Sequence, residues 1–290
     1  MGVFTQKFPF QSQHIAKVLE ELPNSPSLLT DRYYLNLRAA HPLGVGWNKV
    51  EGIRGWMSSA HLIEKGPARS GQGKPSWETA RPTAFARLII THDPHLTSMT
   101  TLWALHVELA MNSDATVYHG LFAHAPEIFT KPEILDRLED ETKGLKRASL
   151  ASDLDGVLGS FTNADLGRLG LLVRLSKGSV SQWRRGIPRE LSLGIVGYAL
   201  LRLHEREGGE QASISLATLA DRPGSLGTTF GLRPSALREA LRSLGHELSP
   251  EGYHFAETAG LDSFSFGNAT PLGLLERVFL GQFHDESRRF

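Results

Sequence analysis

The chain contains no cysteine. Disulfides, iron–sulfur clusters, thiolate zinc sites and a cysteine nucleophile are excluded together. It carries no excess charge either, since 31 basic residues balance 31 acidic ones. That balance excludes a chain that holds nucleic acid by bulk charge, so any such binding has to come from a local patch. No apolar run approaches the roughly 20 residues that cross a bilayer. The opening MGVFTQKFPFQSQHIAK has neither the apolar centre nor the small-residue cleavage site of a signal peptide. The expectation is a cytoplasmic protein with no membrane partner.

The motifs of common catalytic sites are missing too. PGSLGTTFG (residues 223–231) has no lysine after its last glycine, so it cannot form a P-loop phosphate cradle. Gly44-Val45-Gly46 is too short for a dinucleotide fingerprint, and no GxSxG occurs. The acidic run at 139–141 reads as solvated charge. Twelve histidines invite a metal site, and His92, Asp93 and His95 are the nearest approach to one. Zinc helices want histidines at i and i+4 beside a carboxylate, whereas His119 and His124 stand five apart. Asp93-Pro94 reads better as a turn that opens a helix. No metal, no cofactor and no enzymatic activity are expected.

What remains is an ordinary globular chain of 290 residues, 40% apolar and 21% charged. Apolar residues recur at the helical period over His14–Leu22, Leu150–Phe161 and Leu191–Glu207, and Leu96–Met111 is nearly all apolar and reads as central core. Thr130, followed by Pro132 and Glu133, is an N-cap signal. Short strands are expected over Ala86–Ile90, Val180–Arg185, Tyr253–Glu257 and Leu261–Phe266, the last two flanking Ala259-Gly260. Residues 66–82 have no period and read as a flexible loop, and no repeat of 20–50 residues is visible. Helix, turn, helix and small hairpin follow one another at 31–90 and again at 213–266. The expected fold is therefore mostly α with small β-hairpins. Two winged-helix units (1–95 and 208–290) flank a helical body (96–207).

Three segments are candidates for nucleic-acid contact. In the helix from Trp47, Val50, Ile53, Met57 and Ala60 share the core face. The opposite face carries Asn48, Glu51 and small residues, with Lys49 and Arg54 on its flanks. Small residues let a phosphate backbone approach, and Asn48 suits an adenine edge, although a small flat face serves helix packing equally well. In residues 232–247, Arg233, Ser235, Arg238, Arg242 and His246 point outward, a set suited to phosphate positioning and guanine readout. In SQWRRGIPRE (181–190), Trp183, Arg184 and Arg185, with Arg189, combine an aromatic face with guanidinium groups. Alternation places Trp183 and Arg185 on one face of the strand and Arg184 on the other.

Several blocks, in this order, resemble one bacterial family of unknown function: LGVGWNKVEGIRGWMSSAHLIE, PTAFARLII, DPHLTSMTTLWALHVELA and SLATLADRPGSLGTTFGLRPSALREAL…ETAGLDSFSF. That family is commonly encoded in DNA phosphorothioation and phage-defence islands beside phosphoadenosine-phosphosulfate-reductase-like genes. The chain keeps Gly44, Gly46 and Asn48 but has Trp47 and Glu51 where the family usually shows basic residues. The resemblance implies a nucleic-acid-linked defence role. The partners expected are double-stranded DNA ahead of RNA, together with other defence-system proteins. The expected function is a non-enzymatic DNA-binding or DNA-sensing subunit of such a system, or else a protein-binding scaffold of a larger nucleoprotein effector.

Overall fold

A computed structural model of the chain describes residues 4–30, 42–68, 74–142, 144–175, 181–258 and 262–283. It is mostly helical with three small antiparallel sheets among the described residues. Helix α1 (Ser12–Glu21) buries Ile15, Val18 and Leu19 at helical spacing. Helix α2 (Trp47–Ser59) starts just after Gly44, whose φ of +70° is a conformation that favours glycine, and buries Val50, Ile53 and Met57. A hairpin follows, formed by β1 (Ile63–Gly66) and β2 (Ser76–Pro82). The expected loop at 66–82 is therefore corrected over its second half. Cross-strand pairing, including Arg81 Nε to Glu64 Oε1 at 2.8 Å, orders a segment that has no apolar alternation of its own. Residues 69–73 of that loop lie outside the described residues.

The expected strand at Ala86–Ile90 is also corrected: these residues belong to helix α3 (Ala84–His92). Thr83 caps it, its hydroxyl accepting the Ala86 N–H at 3.1 Å. Phe85, Ala86 and Ile89 form the buried stripe. The β-branched run suggested a strand, but the cap and the one-sided burial decide for a helix.

Helix α4 (Met99–Met111) is the centre of the molecule, with every residue from Thr101 to Met111 buried. Two ionisable side chains sit in it, and both are satisfied. The His106 Nε2 lies 2.9 Å from the Thr229 carbonyl, which can only accept, so that nitrogen carries the proton. Nδ1 then accepts from the Tyr118 hydroxyl at 2.8 Å. Burial pushes the His106 pKa down to about 3, which keeps the ring neutral. Glu108 is fully buried and gathers partners from distant parts of the chain. It accepts from Arg202 Nε (2.6 Å) and Nη2 (2.9 Å), Arg206 Nη2 (3.0 Å) and the Tyr198 hydroxyl (2.6 Å), and it faces His61 Nδ1 at 2.7 Å.

The middle of the chain is not purely helical. Helix α5 (Thr116–His124), β3 (Ile128–Thr130), α6 (Lys131–Glu141), α7 (Arg147–Thr162), β4 (Leu172–Arg174) and β5 (Gln182–Arg185) follow in turn. The third strand lies between the other two, in the order β3-β5-β4. Helix α8 (Leu193–Arg206) opens a second passage of the same plan. It comprises β6 (Ser213–Ser215), α9 (Leu216–Asp221), α10 (Leu226–Phe230), α11 (Pro234–Glu247), β7 (His254–Ala256) and β8 (Ser263–Ser265), with sheet order β6-β8-β7. In both passages the last residue of the first strand caps the next helix. Thr130 does so with a full capping box to Glu133, and Ser215 by accepting the Thr218 N–H. The sheet β3-β5-β4 lies within the segment expected as a helical body. Strands of three or four residues carry little periodic signal, so the repeat lies in topology and capping rather than in residue identity. The turn at Ala259-Gly260 lies outside the described residues. Helix α12 (Pro271–Phe279) closes the described chain against α8 and α3. Among the described residues no helix is long and apolar enough to cross a membrane.

Candidate nucleic-acid interface

The Gly52 and Gly55 face of the first candidate segment is covered by the chain itself. The small-residue face of α2 packs beneath residues 4–8. A side-chain carbon at Gly55 would stand 1.8 Å from the Phe4 carbonyl oxygen, and one at Gly52 would stand 2.5 Å from that of Thr5. Gly52 and Gly55 therefore serve packing, the alternative that the sequence also offered for this face. Thr5 is held in turn by Asp153, which accepts its N–H at 2.6 Å. Arg54 donates to the Leu29 carbonyl at 3.3 Å, and Gln6 donates to Glu51. Asn48 is exposed and Lys49 half-buried, with burial lowering the Lys49 pKa.

The second segment is split. Arg233, Ser235, Arg238, Arg242 and His246 are all exposed on α11. Arg238 Nε donates to Asp262 Oδ2 at 2.7 Å. Arg242 bridges Glu257 (2.5 Å) and Glu239 (2.6 Å). Glu257 follows β7 and Asp262 precedes β8, so these two arginines fasten the turn end of the hairpin to the helix. The Arg242 guanidinium holds the Glu257 carboxyl below its usual range. Arg233 and Ser235, one turn or more toward the N-terminus, take no part in this.

The third segment obeys the expected alternation. Trp183 faces inward and is buried opposite Phe129, so it belongs to the core and is not a stacking platform. Arg185 shares its face. Its guanidinium donates to the Phe122 carbonyl (3.2 Å) and the Thr228 carbonyl (2.7 Å) and lies 5.0 Å from the Phe122 ring centroid. Phe122 is in the last turn of α5 and Thr228 within α10. The cation thus meets outward-pointing helix carbonyls and ties the middle passage to the last one. Burial pushes its pKa down to about 10, so it stays charged at neutral pH.

Arg184 points the other way, and the tertiary structure brings it to Arg233. Both line a cleft of about 590 Å³, together with Arg185 and Arg189. An adjoining cleft of about 660 Å³ carries the wall on to Ser235 and Ala236 at the start of α11. Among the described arginines, Arg184, Arg189 and Arg233 alone have no hydrogen-bond or ion-pair partner for the side chain. All three stand in this one cleft. The α11 N-terminus beside them has no side-chain cap, and Pro234 occupies its first turn. Its free N–H groups and the positive end of the helix dipole therefore face the same space. Glu127 is the carboxylate on the rim. The arrangement is suited to taking anionic oxygens.

The sequence places Arg184, Arg185, Arg233 and Ser235 in two separate segments and gives no reason to pair them. Sequence reasoning misses Glu127 and the α11 terminus, although Arg233-Pro234 is a legible helix start. Asn48, Lys49, Arg54, Trp183, Arg238, Arg242 and His246 do not line the cleft. Among the described residues no three His, Cys, Asp or Glu gather to hold a metal. Asp93 instead accepts the Thr97 and Ser98 N–H groups ahead of α4, and His92 stacks on Phe279.

The fold is that of two solved structures. One, a magnesium-bound crystal structure of SspB, superposes with a TM-score of 0.79 at 23% identity, covering 98% of this chain and 88% of that one. The other, a crystal structure of SspB, gives 0.78 at 24% identity with the same coverage. No curated protein matches the sequence. The family model described as "Protein of unknown function (DUF4007)" matches residues 5–279, and the chain belongs to that family.

Proposed function

We propose that the protein is a DNA-binding subunit of a bacterial DNA phosphorothioation or anti-phage system, with backbone phosphates of a duplex lying in the cleft of Arg184, Arg189 and Arg233. The carrying observation is that these three unpartnered guanidinium groups converge beside the uncapped start of α11. An unpaired arginine costs little in water and gains most when an anion arrives, so a cluster of them is what phosphate contact requires. The order α8, β6, α9–α10, α11, β7, β8 supports reading residues 193–265 as a winged helix with α11 as recognition helix. The middle passage, of the same order, is then a second such unit. The defence setting rests on the family resemblance of the sequence blocks. The magnesium of the related crystal structure is that protein's; the described residues here offer no cluster to hold one.

The test is fluorescence anisotropy with labelled duplex DNA, comparing wild type with Arg184→Glu/Arg189→Glu/Arg233→Glu. Affinity should fall, and the slope of log K against log salt should flatten by about 0.9 for each phosphate that is no longer neutralised. A triple variant that stays folded and binds as wild type refutes the reading.

A further inference from the structure

The outer face of the middle sheet carries a second surface, made for a different partner. Across the three strands Ile128, Arg184 and Val173 stand in register. Thr130, Gln182 and Leu175 continue that face by alternation. Its aliphatic side chains are open to solvent: Ile128 is 52% exposed, Val173 37% and Leu175 44%, with Ile187 at 77% on the rim of the neighbouring cleft. Of the large apolar side chains exposed among the described residues, only Leu280 lies elsewhere. Scattered exposed aliphatic side chains need no explanation, but three on one face of a small sheet do. None of the six face residues is acidic, and the charge at its centre is the unpartnered Arg184.

DNA does not account for this face. Phosphates have no use for aliphatic side chains, and no aromatic stands here to stack a base. We infer that the outer face of β3-β5-β4 is a docking surface for an acidic segment of a partner protein, one that lays aliphatic side chains on Ile128, Val173 and Leu175 and sets a carboxylate on Arg184. Apolar contact with an arginine at its centre is the composition of protein interfaces. The surface shares Arg184 and Val173 with the edge of the cleft proposed for DNA, whereas Ile128 and Leu175 belong to the sheet face alone.

The experiment uses the full chain and two labelled peptides. One alternates leucine and valine with aspartate and glutamate; the control has lysine at every acidic position. The acidic peptide should bind and protect backbone amides at 127–130 and 171–175 in hydrogen exchange, and the lysine peptide should not. Ile128→Asp/Val173→Asp should weaken peptide binding about tenfold or more. The uncharged Ile128→Thr/Leu175→Thr, whose positions do not line the DNA cleft, should weaken it in the same direction. This threonine variant should leave duplex affinity unchanged, while Arg189→Glu/Arg233→Glu should do the reverse, so the two readings fail separately. The inference is overturned if neither peptide binds or if the lysine peptide binds equally well. It is also overturned if duplex DNA protects the amides at 128–130 as the acidic peptide does, or if the face proves to hold a second copy of the chain, seen as a dimer that Ile128→Asp/Val173→Asp dissolves.

Discussion

Replacing Glu108 by glutamine tests what holds the helical centre to the rest of the chain. The carboxylate is fully buried and is the shared acceptor for Arg202, Arg206 and Tyr198. Glutamine keeps the shape but turns one oxygen into a donor aimed at guanidinium groups, and it leaves both arginines without a counter-charge. Arg206 Nη1 already lacks a partner. Removing one member of a buried ion pair costs about 3–5 kcal/mol. The two arginine side chains keep 20% and 22% of their surface in water, which places the expected loss at the lower end, about 3 kcal/mol. A chain of 290 residues melts with an entropy near 0.6 kcal/mol/K, so the melting temperature should drop by about 5 °C.

The pH dependence is a second, independent readout. Burial works to raise the Glu108 pKa, but hydrogen bonds from Arg202 and His61 and the charges of Arg202 and Arg206 outweigh it and hold the group well below the ordinary range. A carboxylate depressed in the folded state contributes stability above its unfolded value of about 4.3 and loses it as pH falls toward the folded value. The gap between wild type and Glu108→Gln in urea unfolding should therefore be constant from pH 7 to about pH 5 and narrow below about 4.3. A cost under about 0.5 kcal/mol, within the range of ordinary surface substitutions, or a gap that fails to narrow in acid, would refute the account. Converting the cluster to Glu108→Leu/Arg202→Met/Arg206→Met should recover much of the loss, because no charge is then left stranded.

Three further outcomes are expected. Arg185→Met removes charge-assisted bonds to the Phe122 and Thr228 carbonyls; it should cost about 1.5–3 kcal/mol in chemical denaturation. Gly55→Ala puts a methyl group on the Phe4 carbonyl. It should release the segment at residues 4–8, seen as earlier proteolysis there and faster amide exchange at Thr5. Arg238→Glu/Arg242→Glu breaks ion pairs to Asp262, Glu257 and Glu239. It should loosen the β7–β8 hairpin in hydrogen exchange while lowering duplex affinity less than the cleft triple variant does; an equal or larger loss would move the interface to the outer face of α11.

Where a local signal is complete within a few residues, the sequence alone determined the outcome. The Thr130-x-x-Glu133 box caps its helix because both hydrogen bonds close within one turn. The apolar run through α4 is core because a helix that is apolar all round has no other place. Trp47 starts its helix, and Trp183 and Arg184 take opposite faces of a strand, because backbone geometry requires it. The tertiary structure decided matters in which a residue's role depends on a partner far along the chain. Whether Ala84–His92 is a helix or a strand turned on its cap and on which side found a core. The middle sheet consists of strands of three or four residues, and its pairing joins β3 to β5 across the length of α6 and α7. The arginines were alike in the sequence, since a guanidinium carries the same charge wherever it stands. Folding set Arg238 and Arg242 against carboxylates, Arg202 and Arg206 against a buried one and Arg185 against helix carbonyls, and left Arg184, Arg189 and Arg233 open to solvent in one cleft. An ion pair depends on distance in space, and the chain brings Arg184 and Arg233 to the same cleft only after β5 and α11 have packed.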